Sequence, residues 1–236
     1  LNAPGDSAVD LGPFPLAGGW ARRHFEWPGH RFDLLVPAQP DLLLDDPAVE
    51  RRHRVDDYMP YWAHLWPASL ETAAEVFRHP WPPGTTVLEI GAGLALPGFA
   101  FRAAGCAVTV TDYDEQALVL AHHNARLNGW HDGVETLLLD WRHPPDRRFP
   151  VILGCEVIYE RRNHPLVLGV LQAMLAPGGV AWITDPDRHQ AHEFLARVAD
   201  SPFVCETRIL PRLPDPDRPP GTTHLHQLRW RDAPLS

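Results

Sequence analysis

The sequence contains no lysine, and all 21 of its basic residues are arginine. That excludes a phosphate-binding P-loop lysine and any Schiff-base chemistry, since both need a primary amine on a side chain. Cysteine is also scarce. Cys106, Cys155 and Cys205 are too few and too scattered for a disulfide framework, and none stands in a C-x-x-C pair of the zinc-binding kind, so they read as reduced thiols. No apolar run approaches the roughly 20 residues of a membrane-spanning helix, and the first residues lack the basic, apolar, small-residue order of a signal peptide. A cytoplasmic location with no membrane partner is expected. Positive charge is in deficit as well: 30 acidic residues against 21 basic ones give a net charge of −9, which opposes general attraction to a nucleic-acid backbone. No nucleic-acid partner is expected.

With 236 residues, 44% of them hydrophobic, the chain is long enough to bury one substantial core, and a single domain with an N-terminal extension is expected. Residues 1–57 carry turn signals and short extended runs. Arg22–Trp27 and Arg31–Val36 are expected to pair across Pro28-Gly29 as an appended hairpin. Ser69–Arg78 has a helical pattern that Pro80 to Gly84 breaks. A regular alternation follows: a strand over Thr86–Ile90, a helix over Leu96–Ala104, a strand over Ala107–Thr111, and a helix over Glu115–Leu127 closed by Asn128-Gly129. Strands over Thr136–Leu139 and Val151–Leu153, a helix from about Pro165 to Leu175 and a strand over Val180–Thr184 complete it. This spacing implies an α/β fold, a mainly parallel sheet covered on both faces. The tail differs, with a helix over Glu193–Ala199 and an antiparallel hairpin of Phe203–Leu210 and Thr223–Trp230 around a proline-rich loop.

Thr86–Ile90 runs directly into Gly91-Ala92-Gly93, and in an open parallel sheet the ligand lies beyond the carboxyl ends of the strands. The dinucleotide fingerprint needs a third glycine where Leu96 stands, so a pyrophosphate cofactor is disfavoured. Glu89, beside the turn, is costly to bury unless it meets donors or positive charge. S-adenosylmethionine offers a sulfonium and an ammonium and carries no phosphate. Asp112 closes the second strand, where a carboxylate accepts both hydroxyls of a ribose; a helix cap is the alternative. Asp140-Trp141 follows the third strand, where an acid accepts from an adenine amino group and the indole packs beside the ring. Any one of these acids has a structural reading, but their recurrence at three successive strand ends favours a cofactor.

Pro60-Tyr61-Trp62-Ala63-His64-Leu65-Trp66-Pro67, Val87-Leu88-Glu89-Ile90-Gly91-Ala92-Gly93, Thr111-Asp112-Tyr113-Asp114 and Ile152-Leu153-Gly154-Cys155-Glu156-Val157-Ile158-Tyr159 together resemble the seven-β-strand, Rossmann-like methyltransferases of the lysine methyltransferase group. The likeness covers about Tyr58 to Arg188. The Tyr-Trp-Ala…Trp-Pro and Asp185-Pro186-Asp187-Arg188 segments are most similar to the methyltransferases of the electron-transfer flavoprotein β subunit and their bacterial relatives. The resemblance implies a methyltransferase domain over residues 58–236 that binds S-adenosylmethionine and releases S-adenosylhomocysteine. It implies that Glu89, Gly91, Ala92 and Gly93 line the methionine end, that Asp112 with Tyr113 holds the ribose, and that Asp140 and Trp141 frame the adenine. Trp66 and Cys155 are implied beside the cofactor, and Glu156 and Tyr159, the acidic-x-x-aromatic motif, at the mouth where methyl leaves. Leu94-Ala95 departs from the glycine-rich pattern of many relatives and implies a stiffer loop or a differently packed methionine end.

Methyl transfer from a sulfonium is an in-line displacement that needs alignment and exclusion of water. An amine acceptor arrives as an ammonium, which Glu156 is expected to orient while Tyr159 forms a wall; capping and packing are the structural alternatives. The expected activity is N-methylation, with a protein lysine favoured as acceptor by the resemblance. A small amine or nicotinamide-like heterocycle, enclosed by a lid from residues 1–57, is the second reading, and a non-catalytic cofactor-binding protein the third. Trp62 and Trp66 would share a face if their stretch is helical. Arg188 is expected to hold either an acidic substrate surface or a local carboxylate. The pairs His189/His192 and His122/His123 lack a third ligand at a fitting spacing, so no metal is expected.

Overall fold

Pro28-Gly29 reverses the chain between β1 (Trp20–Trp27) and β2 (His30–Pro37), with Trp27 opposite His30 and Trp20 opposite Pro37. Gly29 has a φ of +81°, the left-handed conformation that glycine supplies at the second position of a two-residue turn. This computed structural model describes residues 12–213 and 221–231. The start of the N-terminal extension and residues 214–220 of the proline-rich tail loop lie outside the described residues. Phe25, Phe32, Leu34, Leu35 and Val36 are buried in one cluster with Val87 and Val108 of the main sheet, so the hairpin shares the core of the sheet domain.

Side-chain amides dock the hairpin. On α4 (Glu115–Leu127), Asn124 accepts from Leu35 N–H at 2.8 Å and donates to Leu35 C=O at 3.0 Å. Asn128, one turn on and capping the helix, treats Asp33 the same way at 2.9 and 2.7 Å. The two amides thus take the place of a neighbouring strand along β2. Asn124 is fully buried, so Asn124→Ala leaves two backbone groups of Leu35 unpaired, at a cost of about 2–4 kcal/mol. Urea unfolding should show that loss, and Asn124→Asp, which cannot donate to Leu35 C=O, should not recover it.

After the hairpin come α1 (Pro47–Asp56), α2 (Ala68–Arg78), β3 (Thr86–Ile90), α3 (Leu96–Ala103), β4 (Ala107–Asp112), α4, β5 (Val134–Leu138), β6 (Phe149–Cys155), α5 (His164–Met174), β7 (Leu175–Asp185), α6 (His189–Ala199), β8 (Phe203–Leu210) and β9 (Thr223–Trp230). Their sheet has the order β5-β4-β3-β6-β7-β9-β8. The β3–β4, β3–β6, β4–β5 and β6–β7 pairs are parallel, and β9 alone runs the other way. This is the expected α/β sheet of seven mostly parallel strands with an antiparallel hairpin at its end. Side-chain alternation splits the core in two. Val87 of β3 joins residues of α2, α3, α4 and the hairpin, whereas Leu88 and Ile90 join α5 and α6.

Two features depart from the sequence expectation. Residues 47–56, read as turns and extended runs, form α1, capped by Asp46 with Pro47 in the first turn; nearly all of its residues are exposed, so it has no apolar stripe to read. Trp62 and Trp66 do not share a helix face: Tyr61–Ala63 is a single 3₁₀ turn, and the backbone is extended at His64. Among the described residues no helix is long and apolar enough to cross a membrane.

Candidate active site

The strand order reverses between β3 and β6, and at that point the carboxyl ends of β3, β4 and β6 open into a cavity. It is lined by the turn after β3, by Asp112 and Tyr113 after β4, by Cys155, Glu156 and Tyr159 after β6, and by Tyr61, Trp62 and Trp66 from the segment before α2. Gly91 and Gly93 have φ values of +58° and +52°. A Cβ on Gly91 would stand 3.0 Å from Val157 and 3.1 Å from the Trp141 ring, and one on Gly93 would stand 3.2 Å from Trp62 C=O, so a side chain at either would crowd its neighbours in a conformation that already disfavours it. Ala95, at the head of α3, takes the left-handed conformation without being glycine, with φ +56°. The loop therefore holds strain of roughly 1–2 kcal/mol at a site lining the cavity.

Asp112 is buried and accepts from Gly93 N–H at 2.9 Å through Oδ2 and from Asp114 N–H at 3.0 Å through Oδ1. Burial pushes its carboxyl up to about 6 against the pull of those donors and of the Tyr113 N–H. Asp114 takes the capping role weighed for Asp112: it accepts from Gln116 N–H at the start of α4 and from the Tyr58 hydroxyl, with Arg52 3.6 Å away.

Glu89 does not line the cavity. Its carboxylate lies beneath the turn against α3, where Oε1 accepts from Gly98 N–H at 3.2 Å and Oε2 is buried with no hydrogen-bond partner. A Cβ on Gly98 would come within 2.1 Å of that oxygen, so Gly98 is glycine to make room for the acid. Burial pushes the Glu89 carboxyl up to about 8. A carboxyl raised in the folded state holds its proton there longer than in the unfolded chain, so stability falls as pH rises between the two pKa values. The fold should therefore lose stability from pH 5 to 8, at most by about 1.4 kcal/mol per pH unit from this group. Glu89→Gln should flatten that slope in denaturation midpoints measured across the range.

Asp140 stands apart from this cavity. It is partly exposed and held by Arg142, through Nε at 2.8 Å and Nη2 at 2.7 Å, which keeps its carboxyl well below the usual range. It lines an adjoining cavity of about 440 Å³ whose walls include Tyr58, Leu139, Glu160 and Arg162. Tyr61, Tyr113, Trp141 and Tyr159 line both cavities, so the two adjoin at those rings.

Glu156 also occupies the left-handed region, at φ +56°, and three contacts hold it there. Its N–H donates to Thr184 C=O at 2.8 Å, Oε1 accepts from Ala68 N–H at the start of α2 at 2.7 Å, and Oε2 accepts from Arg188 Nη2 at 2.6 Å. Of the two expectations for Arg188, the local carboxylate is the one realised. Sequence reading left Arg188 outside the candidate site; its place in the Asp185-Pro186-Asp187-Arg188 turn after β7 was the available signal. The Cys155 thiol faces Ser69 and Thr72 oxygens at 3.7 and 3.8 Å, and burial pushes it up to about 12, so it remains an unreactive thiol. Burial raises the Tyr159 hydroxyl well above its ordinary value, which keeps it protonated. The Tyr61 ring meets Trp66 edge-on at 5.8 Å and Tyr159 at 5.5 Å, and Trp66 Nε1 donates to Tyr61 C=O. Among the described residues no group of three or more His, Cys, Asp or Glu side chains is arranged to hold a metal ion.

A family model described as lysine methyltransferase matches residues 63–201. EEF1A lysine methyltransferase 3 of Mus musculus is 28% identical over 158 residues, 61% of this chain and 65% of its own. Histone-arginine methyltransferase METTL23 of the same species is 27% identical over 129 residues, 50% of this chain and 49% of its own. The chain thus spans about half to two thirds of the length of these curated relatives. Among solved structures, the magnesium protoporphyrin IX methyltransferase of Synechocystis PCC 6803 superposes with a TM-score of 0.57 at 13% identity, over 80% of this chain and 94% of that one. The ribosomal protein L11 methylase of Lactobacillus delbrueckii subsp. bulgaricus gives 0.55 at 18% identity, over 70% and 79%. These two likenesses are of fold.

Proposed function

Since the chain belongs to the lysine methyltransferase family, we propose that it is an S-adenosylmethionine-dependent N-methyltransferase acting on a lysine side chain of another protein. The observation that carries the reading is the cavity where the strand order reverses, with Asp112 at its edge and aromatic rings on its walls. These residues fit the cofactor. Asp112, buried at the end of β4 and lining the cavity, is a carboxylate suited to accept from a ribose hydroxyl, while the faces of Tyr61, Trp66 and Tyr159 attract a cationic centre. Tyr113 and Trp141, shared by both cavities, would border the adenine, with Asp140 on the far side. In this reading residues 58–236 form the methyltransferase domain, with the N-terminal extension appended to it.

The cofactor, when bound, supplies a methyl group on sulfonium for in-line displacement. Asp112 and the glycine turn hold it in place, and the rings exclude water from the acceptor nitrogen. Desolvation of the acceptor in the cavity lowers its pKa and favours the neutral amine that attacks, against the attraction of the ring faces for its charged form. Glu156, whose oxygens are engaged by Arg188 and Ala68 N–H, sets the position of the acceptor wall instead of taking a proton. Tyr159 stays protonated and forms the facing wall. Of the described residues 12–57, Asp57 alone lines either cavity, the adjoining one, so the extension covers little of the site, and this favours a protein acceptor over a small substrate enclosed by a lid.

Calorimetric titration tests the cofactor, and labelled methyl transfer into lysate proteins tests the acceptor. Micromolar affinity for S-adenosylmethionine, none for NAD, and label recovered on lysine are expected. Absence of S-adenosylmethionine binding would overturn the reading, and label found only on small molecules would move the acceptor to that class.

A further inference from the structure

We infer that the outer edge of β8 is a self-complementary surface on which a second copy of this chain pairs, strand to strand about a two-fold axis at Thr207, joining the two sheets into one.

β8 ends the sheet, and among the described residues no strand lies on its outer side. All eight of its residues pair with β9 in a single register without a bulge. Arg231 N–H donates to Pro202 C=O, so the ladder to β9 uses the backbone of the even-numbered residues, and Cys205, Thr207 and Ile209 turn their N–H and C=O groups outward. Such a row of unpaired groups along a regular edge is a template for another strand. The side chains are open as well: Val204 is 44% and Ile209 61% exposed, and Glu206 and Thr207 are exposed beside them.

The order of these residues selects the partner. In antiparallel pairing centred on Thr207, the outward backbone groups of Cys205, Thr207 and Ile209 meet those of Ile209, Thr207 and Cys205 of the second copy. On the face toward α6, Cys205 lies opposite Ile209. On the face toward α2, Glu206 lies opposite Arg208 and Val204 opposite Leu210, and the symmetry forms each pair twice. Opposite charges directly across a strand pair attract, and like charges repel. Arg208 reaches Glu75 of α2 through Nη2, and the rest of its guanidinium fork remains to meet a carboxylate across the pair. An edge that resists association carries like charges, proline or a bulge along its middle, whereas here Pro202 and Pro211 stand only outside the strand. β9 and β7 separate β8 from the cavity between β3 and β6, so pairing leaves the cavity of each copy open.

Sedimentation velocity of the full chain, from low to high micromolar concentration, tests this. The mass should move from 26.5 kDa toward twice that value as concentration rises. Glu206→Arg, which sets like charges opposite each other at both positions and leaves the Arg208–Glu75 pair in place, should weaken association at least about tenfold. Thr207→Pro, which removes an outward N–H and leaves the bonds to β9, should abolish it. Far-ultraviolet circular dichroism of the same samples should show both variants folded. A wild type that stays monomeric throughout the range, or a dimer that either substitution leaves unchanged, would overturn the inference.

Discussion

Replacing Glu156 by alanine should lower turnover by on the order of a hundredfold while leaving affinity for S-adenosylmethionine within about threefold, the pattern of a misplaced acceptor and an intact cofactor site. The reason is the position of its carboxylate, joined to the first N–H of α2 and to Arg188 from the end of β7. Three elements meet there, and their relative placement sets the part of the cavity wall that Glu156 lines. Removing one member of such a pair leaves the other uncompensated; because Arg188 keeps 29% of its side chain exposed, the stability cost is discounted to about 2–3 kcal/mol. Urea unfolding and steady-state kinetics on one preparation separate the two effects. A fall in cofactor affinity as large as the fall in turnover would assign Glu156 to the cofactor's surroundings.

Asp112→Ala should have the opposite signature. Losing two hydrogen bonds to a charged acceptor costs about 3 kcal/mol, or roughly a hundredfold in affinity for S-adenosylmethionine. The wild-type protein should show a pH dependence of the same origin. Because burial raises the Asp112 carboxyl to about 6, affinity should weaken as pH falls through that value and level off above it. The sign for the empty fold is reversed: the folded state holds the proton longer, so ionising Asp112 costs stability as pH rises from about 4 to 6. Asp112→Asn, which still offers Gly93 N–H an oxygen, should abolish the affinity dependence and remove this group's share of the stability slope, leaving that of Glu89. A pH-independent affinity in the wild type would contradict the role given to this carboxylate.

Much of this arrangement was legible in the sequence because it depends on short-range signals. Thr86–Ile90 and Glu115–Leu127 have the predicted limits, since a β-rich run ending in glycine and an apolar helical period closed by Asn-Gly are local patterns. Phe203–Leu210 and Thr223–Trp230 likewise form the predicted terminal hairpin. Helix α1 was not legible, because Arg52, Tyr58 and Asp114 tether it through charge and ring contacts instead of an apolar face. β6 extends beyond Val151–Leu153 to Phe149–Cys155 because parallel pairing with β7 continues through Gly154 to Cys155. At the site, the sequence indicates which strand ends carry acids but not where those acids point. Glu89 turns under the loop because Gly98 leaves space there, and Asp140 turns outward because Arg142, two residues on, reaches back to it. The partner of Glu156 lies 32 residues away, beyond any local signal.

Helix α4 also serves as a gauge between two distant attachments. At one end Asp114 holds the Tyr58 hydroxyl beside the cavity, and at the other Asn124 and Asn128 grip β2. The chain from the hairpin to Tyr58 is therefore fixed at both ends by one rod, and its own length matters less than the angular phase of that rod. Inserting a single residue after Leu118 would turn both asparagines by about 100° away from β2 while leaving Asp114 in place. The hairpin would lose its mooring although no residue in it had changed.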